Sequence, residues 1–176
     1  LREEAAYMSA YSNYLQSPDY KLEQGYTIKA IDELQNFINA YTKSTRIPEA
    51  NKLIDELRLK LETKAFDEAM LYFNLKEYQS ATITLNNMLK DFPDSHNAEK
   101  IRYFIVKSNY TLAENSVYSK KLERYETTLI AAELYLNKFS KTKDRREVDG
   151  ILKSTKQIIK NLEKDGYKDK STRDRS

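Results

Sequence analysis

The side chains that could carry chemistry in this sequence are few, and each lacks the company its chemistry needs. His96 follows Ser95 at an expected helix start, with no second ligand nearby in sequence, so a metal-binding or proton-transfer role has no partner and an exposed ring is expected. Ser140-Lys141-Thr142-Lys143 fits the S-x-x-K pattern in which a lysine assists a serine nucleophile, but it falls at a helix junction without the partner motifs of that class. Asn109-Tyr110-Thr111 fits a glycosylation sequon, yet it lies mid-helix, where acceptor geometry is poor. The helical carboxylates Glu62 and Asp67 read as a solvated face. Lys120-Lys121 and Arg145-Arg146 are too short to make an electrostatic footprint on nucleic acid.

Composition points the same way. The chain has 176 residues, a length that suits one domain of ordinary size. It has no cysteine, which removes disulfides, iron–sulfur clusters, thiolate zinc sites and cysteine nucleophiles. Its 3 glycines are too few for the turns of an all-β sandwich or for a dinucleotide-binding loop. An enzyme is therefore not expected, and no catalytic residue, metal or cofactor is assigned. The formal net charge of +3 is a weak bias, and most of it sits in the polar stretch from Lys164 onward, so no nucleic-acid partner is expected. The longest apolar runs, Ile105-Val106 and Leu129 to Ala132, cannot span a bilayer. The sequence opens on Leu1 without a recognisable leader and is read as a segment of a longer product.

These residues must be positioned by helices. Leu53, Ile54, Leu57, Leu61, Ala65, Ala69 and Tyr72 step by three and four, which predicts one helix from about Pro48 to Leu75. Pro48 suits its first turn and Glu49 complements the helix dipole. Upstream, helices are expected over about Glu3 to Leu15 and Tyr26 to Tyr41. Downstream, one runs from Tyr78 to Phe92 with Pro93 ending it, and Asp94-Ser95 offers an N-cap to the next. Two more follow over about Leu122 to Phe139 and Asp144 to Leu162, and residues 164–176 read as a polar flexible tail. The fold class is all-α, with antiparallel pairs and short turns.

Overlaying the helices reveals a repeat. Tyr26-x-x-x-Ala30-x-x-x-Leu34-x-x-Phe37-x-x-x-Tyr41 matches Tyr78-x-x-Ala81-x-x-x-Leu85-x-x-Met88-x-x-x-Phe92, with one residue of slack after the tyrosine. Tyr125-x-x-Thr128-x-x-x-Ala132-x-x-Tyr135-x-x-x-Phe139 is a third copy. The spacing of roughly fifty residues is that of a helical solenoid. Small residues let paired helices approach, and stacking of neighbours buries the faces that one pair cannot bury alone.

The second copy resembles a tetratricopeptide repeat, with Ala69, Tyr72-Phe73, Tyr78, Ala81, Leu85, Met88 and Pro93 at its small, aromatic and proline positions. In the other copies Thr42 and Ser140 replace the proline, and insertions occur around Ser17-Pro18-Asp19-Tyr20 and Asn115 to Leu122. Over Ala5 to Leu162 the chain resembles the BamD-type tetratricopeptide lipoproteins of the bacterial outer-membrane β-barrel assembly machinery. The resemblance is carried by AAYMSAYSNYLQSPDYKLEQGYTIKAIDELQNFINAY, IPEANKLIDELRLKLETKAFDEAMLYFNLKEY and LKDFPDSHNAEKIRYFIVKSNYTLAENS.

The resemblance implies a right-handed solenoid of about three helix pairs over 1–163, with repeats at 3–42, 48–93 and 95–140 and a closing helix at 144–163. It further implies the C-terminal part of a family member, whose missing front would hold a lipid-anchoring cysteine, on the periplasmic side of the outer membrane. First helices line the concave groove of such an array. The groove set is then Tyr7, Tyr11 and Tyr14, followed by Phe66, Met70, Phe73 and Asn74, followed by Tyr103, Lys107, Tyr110 and Thr111. Tyrosine supplies rigid contact area with a polar tip, although the same aromatic positions also serve packing between helices. Lys107 is the cation that could meet an acidic partner. The implied function is a non-catalytic scaffold in outer-membrane barrel assembly, with POTRA domains and unfolded barrel clients as partners. The alternatives are a tetratricopeptide adaptor or peptide-binding co-chaperone of another envelope pathway, and a small-ligand regulatory domain with a deep closed pocket.

Overall fold

The computed structural model describes the backbone of residues 1–173 and side chains through residue 165. Among the described residues there are seven α-helices and no strands: α1 (Arg2–Gln16), α2 (Gly25–Ala40), α3 (Ile47–Asn74), α4 (Tyr78–Asp91), α5 (Ala98–Glu114), α6 (Tyr118–Lys138) and α7 (Arg145–Arg173). The all-α class follows the periodicity, and the order of helix–turn–helix pairs is consistent with a tetratricopeptide-like repeat fold. The chain divides into two compact units, Leu1–Asp67 and Glu68–Ser176, with the boundary inside α3. Sequence alone gives no sign of that boundary, because the apolar stripe of α3 continues across it through Ala65, Ala69 and Tyr72.

In the first unit, Tyr7 and Ala10 of α1, Ala30, Leu34 and Phe37 of α2, and Ala50, Leu53, Ile54 and Leu57 of α3 form one buried cluster. Ala10 and Ala30 are fully buried, and their small side chains let α1 and α2 approach closely. The loop between these helices is held from α3. Lys60 Nζ donates to Ser17 Oγ at 2.6 Å and to the Pro18 carbonyl at 2.9 Å, and Lys64 Nζ donates to the Leu22 carbonyl. Within the loop, Gln24 Nε2 donates to the carbonyls of Asp19 and Leu22. The Asp67 carboxylate raises the Tyr20 phenol through a hydrogen bond.

In the second unit, Val106, Ala132, Tyr135 and Val148 join α5, α6 and α7 in a buried cluster. Arg145 Nη1 donates to the carbonyls of Leu136 and Phe139, both at 2.7 Å, and so satisfies carbonyls that the end of α6 leaves open. The turn from α3 into α4 is a Schellman motif. The Lys76 N–H reaches the Phe73 carbonyl at 3.0 Å and the Glu77 N–H reaches the Tyr72 carbonyl at 2.9 Å, with Lys76 at φ 64°.

The repeat is visible at atomic level. Tyr41, Phe92 and Phe139 are the C-cap residues of α2, α4 and α6, each donating its N–H to the residue four before it: Phe37, Met88 and Tyr135. The next turns also match. Ser44 and Ser95 accept the backbone N–H of Arg46 and Asn97 on their hydroxyls, and Ala50, Ile101 and Val148 then enter the core at equivalent positions.

Several sequence expectations change. The slack in the first copy resolves in favour of Thr27, which is fully buried, while Tyr26 is 48% exposed. The Thr27 hydroxyl is satisfied by Gln24 Oε1 at 2.7 Å and Ser17 at 2.6 Å, so a polar anchor holds the site that pattern matching gives to the larger ring. Asp94-Ser95 does not cap α5, which begins at Ala98, because Ser95 closes the preceding turn instead. α6 begins at Tyr118, inside the expected insertion, since exposed Ser119 and Lys120 continue a helix without adding an apolar period. Glu62 is only 8% exposed, so it does not belong to a solvated face. α7 continues past the expected end at 163 to Arg173, because an existing helix gains one hydrogen bond per added residue even where no apolar pattern marks it. Residues 174–176 of the expected tail lie outside the described residues.

Candidate protein-binding surface

The first helices carry the predicted aromatic set. On α1, Tyr7, Tyr11 and Tyr14 stack in a row, with ring centroids 6.0 and 5.6 Å apart and interplanar angles of 12° and 20°. The helical steps of four and three put these rings on one face. Tyr7 is 2% exposed and packs edge-on against Phe37 at 5.4 Å, so it is a core residue and not a contact for a partner. A ring that fills the α1–α2 interface cannot also be offered to solvent. Tyr11 and Tyr14 stay partly exposed, and the Tyr14 hydroxyl donates to Glu56 Oε2 at 2.9 Å. That hydrogen bond is the first cause of the raised Tyr14 pKa, ahead of burial.

Phe66, one residue before the end of the first unit, is half-buried. In the second unit Met70 is half-buried and Asn74, the last residue of α3, is exposed. Phe73 packs between Phe104 at 5.2 Å and Tyr78 at 5.6 Å, so most of its surface is used inside the chain.

On α5 the predicted groove residues engage α7. Tyr103 Oη donates to Glu147 Oε2 at 2.7 Å, and Lys107 Nζ lies 3.1 Å from Glu147 Oε1 and 5.3 Å from the Tyr103 ring centroid. The hydrogen bond from Tyr103, then Lys107, holds the Glu147 carboxyl below its ordinary range against the opposing effect of desolvation. Lys107 is therefore not a free cation awaiting an acidic partner, since its charge is already matched within the chain. The pair keeps 34% and 48% exposure. Tyr110 meets Tyr125 edge-on at 6.1 Å, and burial raises both phenols. Thr111 accepts the Asn115 side-chain amide on its carbonyl.

Sequence reasoning missed Glu147 because its partners lie two helices upstream, and no local spacing links them. The remaining candidates take simple places. His96 is exposed, Asn109 is buried within α5, and Thr142 of the S-x-x-K stretch bonds the Tyr135 hydroxyl at 2.9 Å. Among the described residues no group of three or more His, Cys, Asp or Glu is placed to hold a metal, and no helix is long and apolar enough to cross a membrane. Three clefts, lined around Ile83, Tyr20 and Leu134, are open to solvent, unlike the closed pocket a small-ligand domain requires.

A family model described as YfiO, outer membrane lipoprotein, matches residues 2–124. No curated protein matches the chain significantly.

Proposed function

The chain belongs to the YfiO family of outer membrane lipoproteins, and from that premise we propose that it is a non-catalytic scaffold in the assembly of outer-membrane β-barrel proteins. In this reading it works at the periplasmic face of the outer membrane and docks onto the POTRA domains of the central barrel subunit, with unfolded barrel proteins as further partners. The family match over α1 to α5 and into α6 is the observation that carries the reading. It is supported by the partly exposed first-helix residues Tyr11, Tyr14, Met70, Asn74 and Tyr110, and by the Lys107–Glu147 pair. Mechanistically the scaffold is positional. Rings held by stacking and by hydrogen bonds to carboxylates lose little freedom when a partner docks.

The test is capture from bacterial envelope extracts with this chain as bait. Recovery of a POTRA-containing barrel protein is expected, and Tyr11→Ala combined with Asn74→Ala should reduce it. Recovery of other envelope proteins without any POTRA-containing one would overturn the reading in favour of an adaptor of another pathway.

A further inference from the structure

A second surface lies within the latter unit, where the second helices α4 and α6 flank α5. Between α4 and α6, with α5 as the floor, two adjoining clefts of about 360 and 220 Å³ share Thr82, Asn109 and Thr127 in their walls. Their rims carry aliphatic side chains in water: Ile83 on α4 is 54% exposed, and Ile130 and Leu134 on α6 are 60% and 53% exposed. Ile130 and Leu134 stand one turn apart, which makes a ridge of the kind that seats against another helix. A soluble helix ordinarily presents polar residues on such a face.

The floor and ends of the double cleft are cationic. Arg102, Lys120 and Arg124 line it against one carboxylate, Glu123. The Arg124 guanidinium is already directed to Ser116 Oγ. Arg102 differs, because its Nε is buried and has no hydrogen-bond partner. Its charge adds to those of Lys120 and Arg124, so the lining carries three cations to one carboxylate, and a carboxylate ligand matches a guanidinium with the best geometry.

From this combination we infer that the α4–α6 cleft is a docking site for an acidic amphipathic helix of a partner protein. Its aliphatic side chains lie between Ile83 and the Ile130–Leu134 ridge, and a carboxylate meets Arg102. The arrangement is helix-in-groove recognition with a cationic anchor. It uses none of Tyr103, Lys107 and Tyr110 on the same α5 helix.

The test uses a helical peptide with leucines at i, i+4 and i+7 and glutamates on the flanks, and a twin in which lysine replaces every glutamate. Binding is read by fluorescence anisotropy, and the contact by amide shifts of Asn109, Thr127 and Ile130. The acidic peptide is expected to bind about tenfold or more tightly than its twin and to move those amides. Arg102→Gln and, separately, Ile130→Ser are each expected to weaken it about tenfold. Ile130 is exposed, so its substitution tests the surface without threatening the core. Equal binding of the two peptides, or none at millimolar protein, overturns the proposal. Self-association that Ile130→Ser abolishes would also overturn it and assign the face to a second copy of this chain.

Discussion

The hydroxyl of Tyr103 on α5 donates to the carboxylate of Glu147 on α7 over 2.7 Å, and the same carboxylate faces Lys107 at 3.1 Å. The contact joins residues far apart in sequence and holds a lowered carboxyl pKa. A lowered folded-state pKa means that the contribution is present above the unfolded carboxylate value and is lost as pH falls through the folded one. Acid denaturation is therefore expected to include a Glu147 component below about pH 4.5. Glu147→Gln should flatten the acid limb of a stability-against-pH curve, and Lys107→Met or Tyr103→Phe should each cost less than about 1 kcal/mol at neutral pH, because the site is half-exposed. Chemical denaturation at several pH values checks both.

At the alkaline end the sign reverses. Tyr7, Tyr125 and Tyr135 have raised pKa values, with burial as the first cause in each. Their neutral forms are favoured in the folded state, so their contribution is complete below the ordinary tyrosine value of about 10 and is lost as pH rises through the folded values. Tyr135 also donates to Glu99 at 3.0 Å, where a phenolate would face a carboxylate. Tyrosinate absorbance from these three rings is expected to appear together with loss of helical circular dichroism.

The backbone carries glycine and lysine in each other's preferred places. Lys76 holds the left-handed position of the Schellman turn after α3, at φ 64°. Gly150 lies inside α7 with nothing within 4 Å of an added Cβ. Lys76→Gly and Gly150→Ala are each expected to stabilise the protein by about 0.5–1 kcal/mol. Because an added Cβ at Gly150 touches nothing within 4 Å, the double variant should show the sum in thermal melts.

Lys60 is the main clamp on the inserted loop between α1 and α2, with two oxygens of the Ser17-Pro18 stretch within 2.9 Å of its ammonium. Lys60→Met keeps the stem and removes the donors. Trypsin is expected to cut after Lys21 faster in this variant, with little change in the overall melting temperature, since the loop opens locally. An unchanged cleavage rate would show that Gln24 and Lys64 hold the loop without Lys60.

What the sequence determined was everything that repeats at helical spacing. Ala30, Ala81 and Thr128 are fully buried because steps of three and four fix a helix face whatever lies opposite. The aromatics Tyr41, Phe92 and Phe139 likewise mark the C-cap of each second helix. Periodicity is local information, and it erred where two residues compete for one face or where charge is involved. Thr27 displaced Tyr26 because its hydroxyl finds Ser17 and Gln24, and that loop arrangement exists only after folding. Glu62 is buried although its residue type reads as surface. Only the tertiary structure decided that Tyr7 is core, that Lys107 is matched by Glu147, and that Ile83 lines one cleft adjoining another lined by Arg102 and Ile130. The physical reason is that burial of a stripe is set within one helix. Which charge meets which, and which aliphatic side chains stay in water, depends on the approach of helices tens of residues apart.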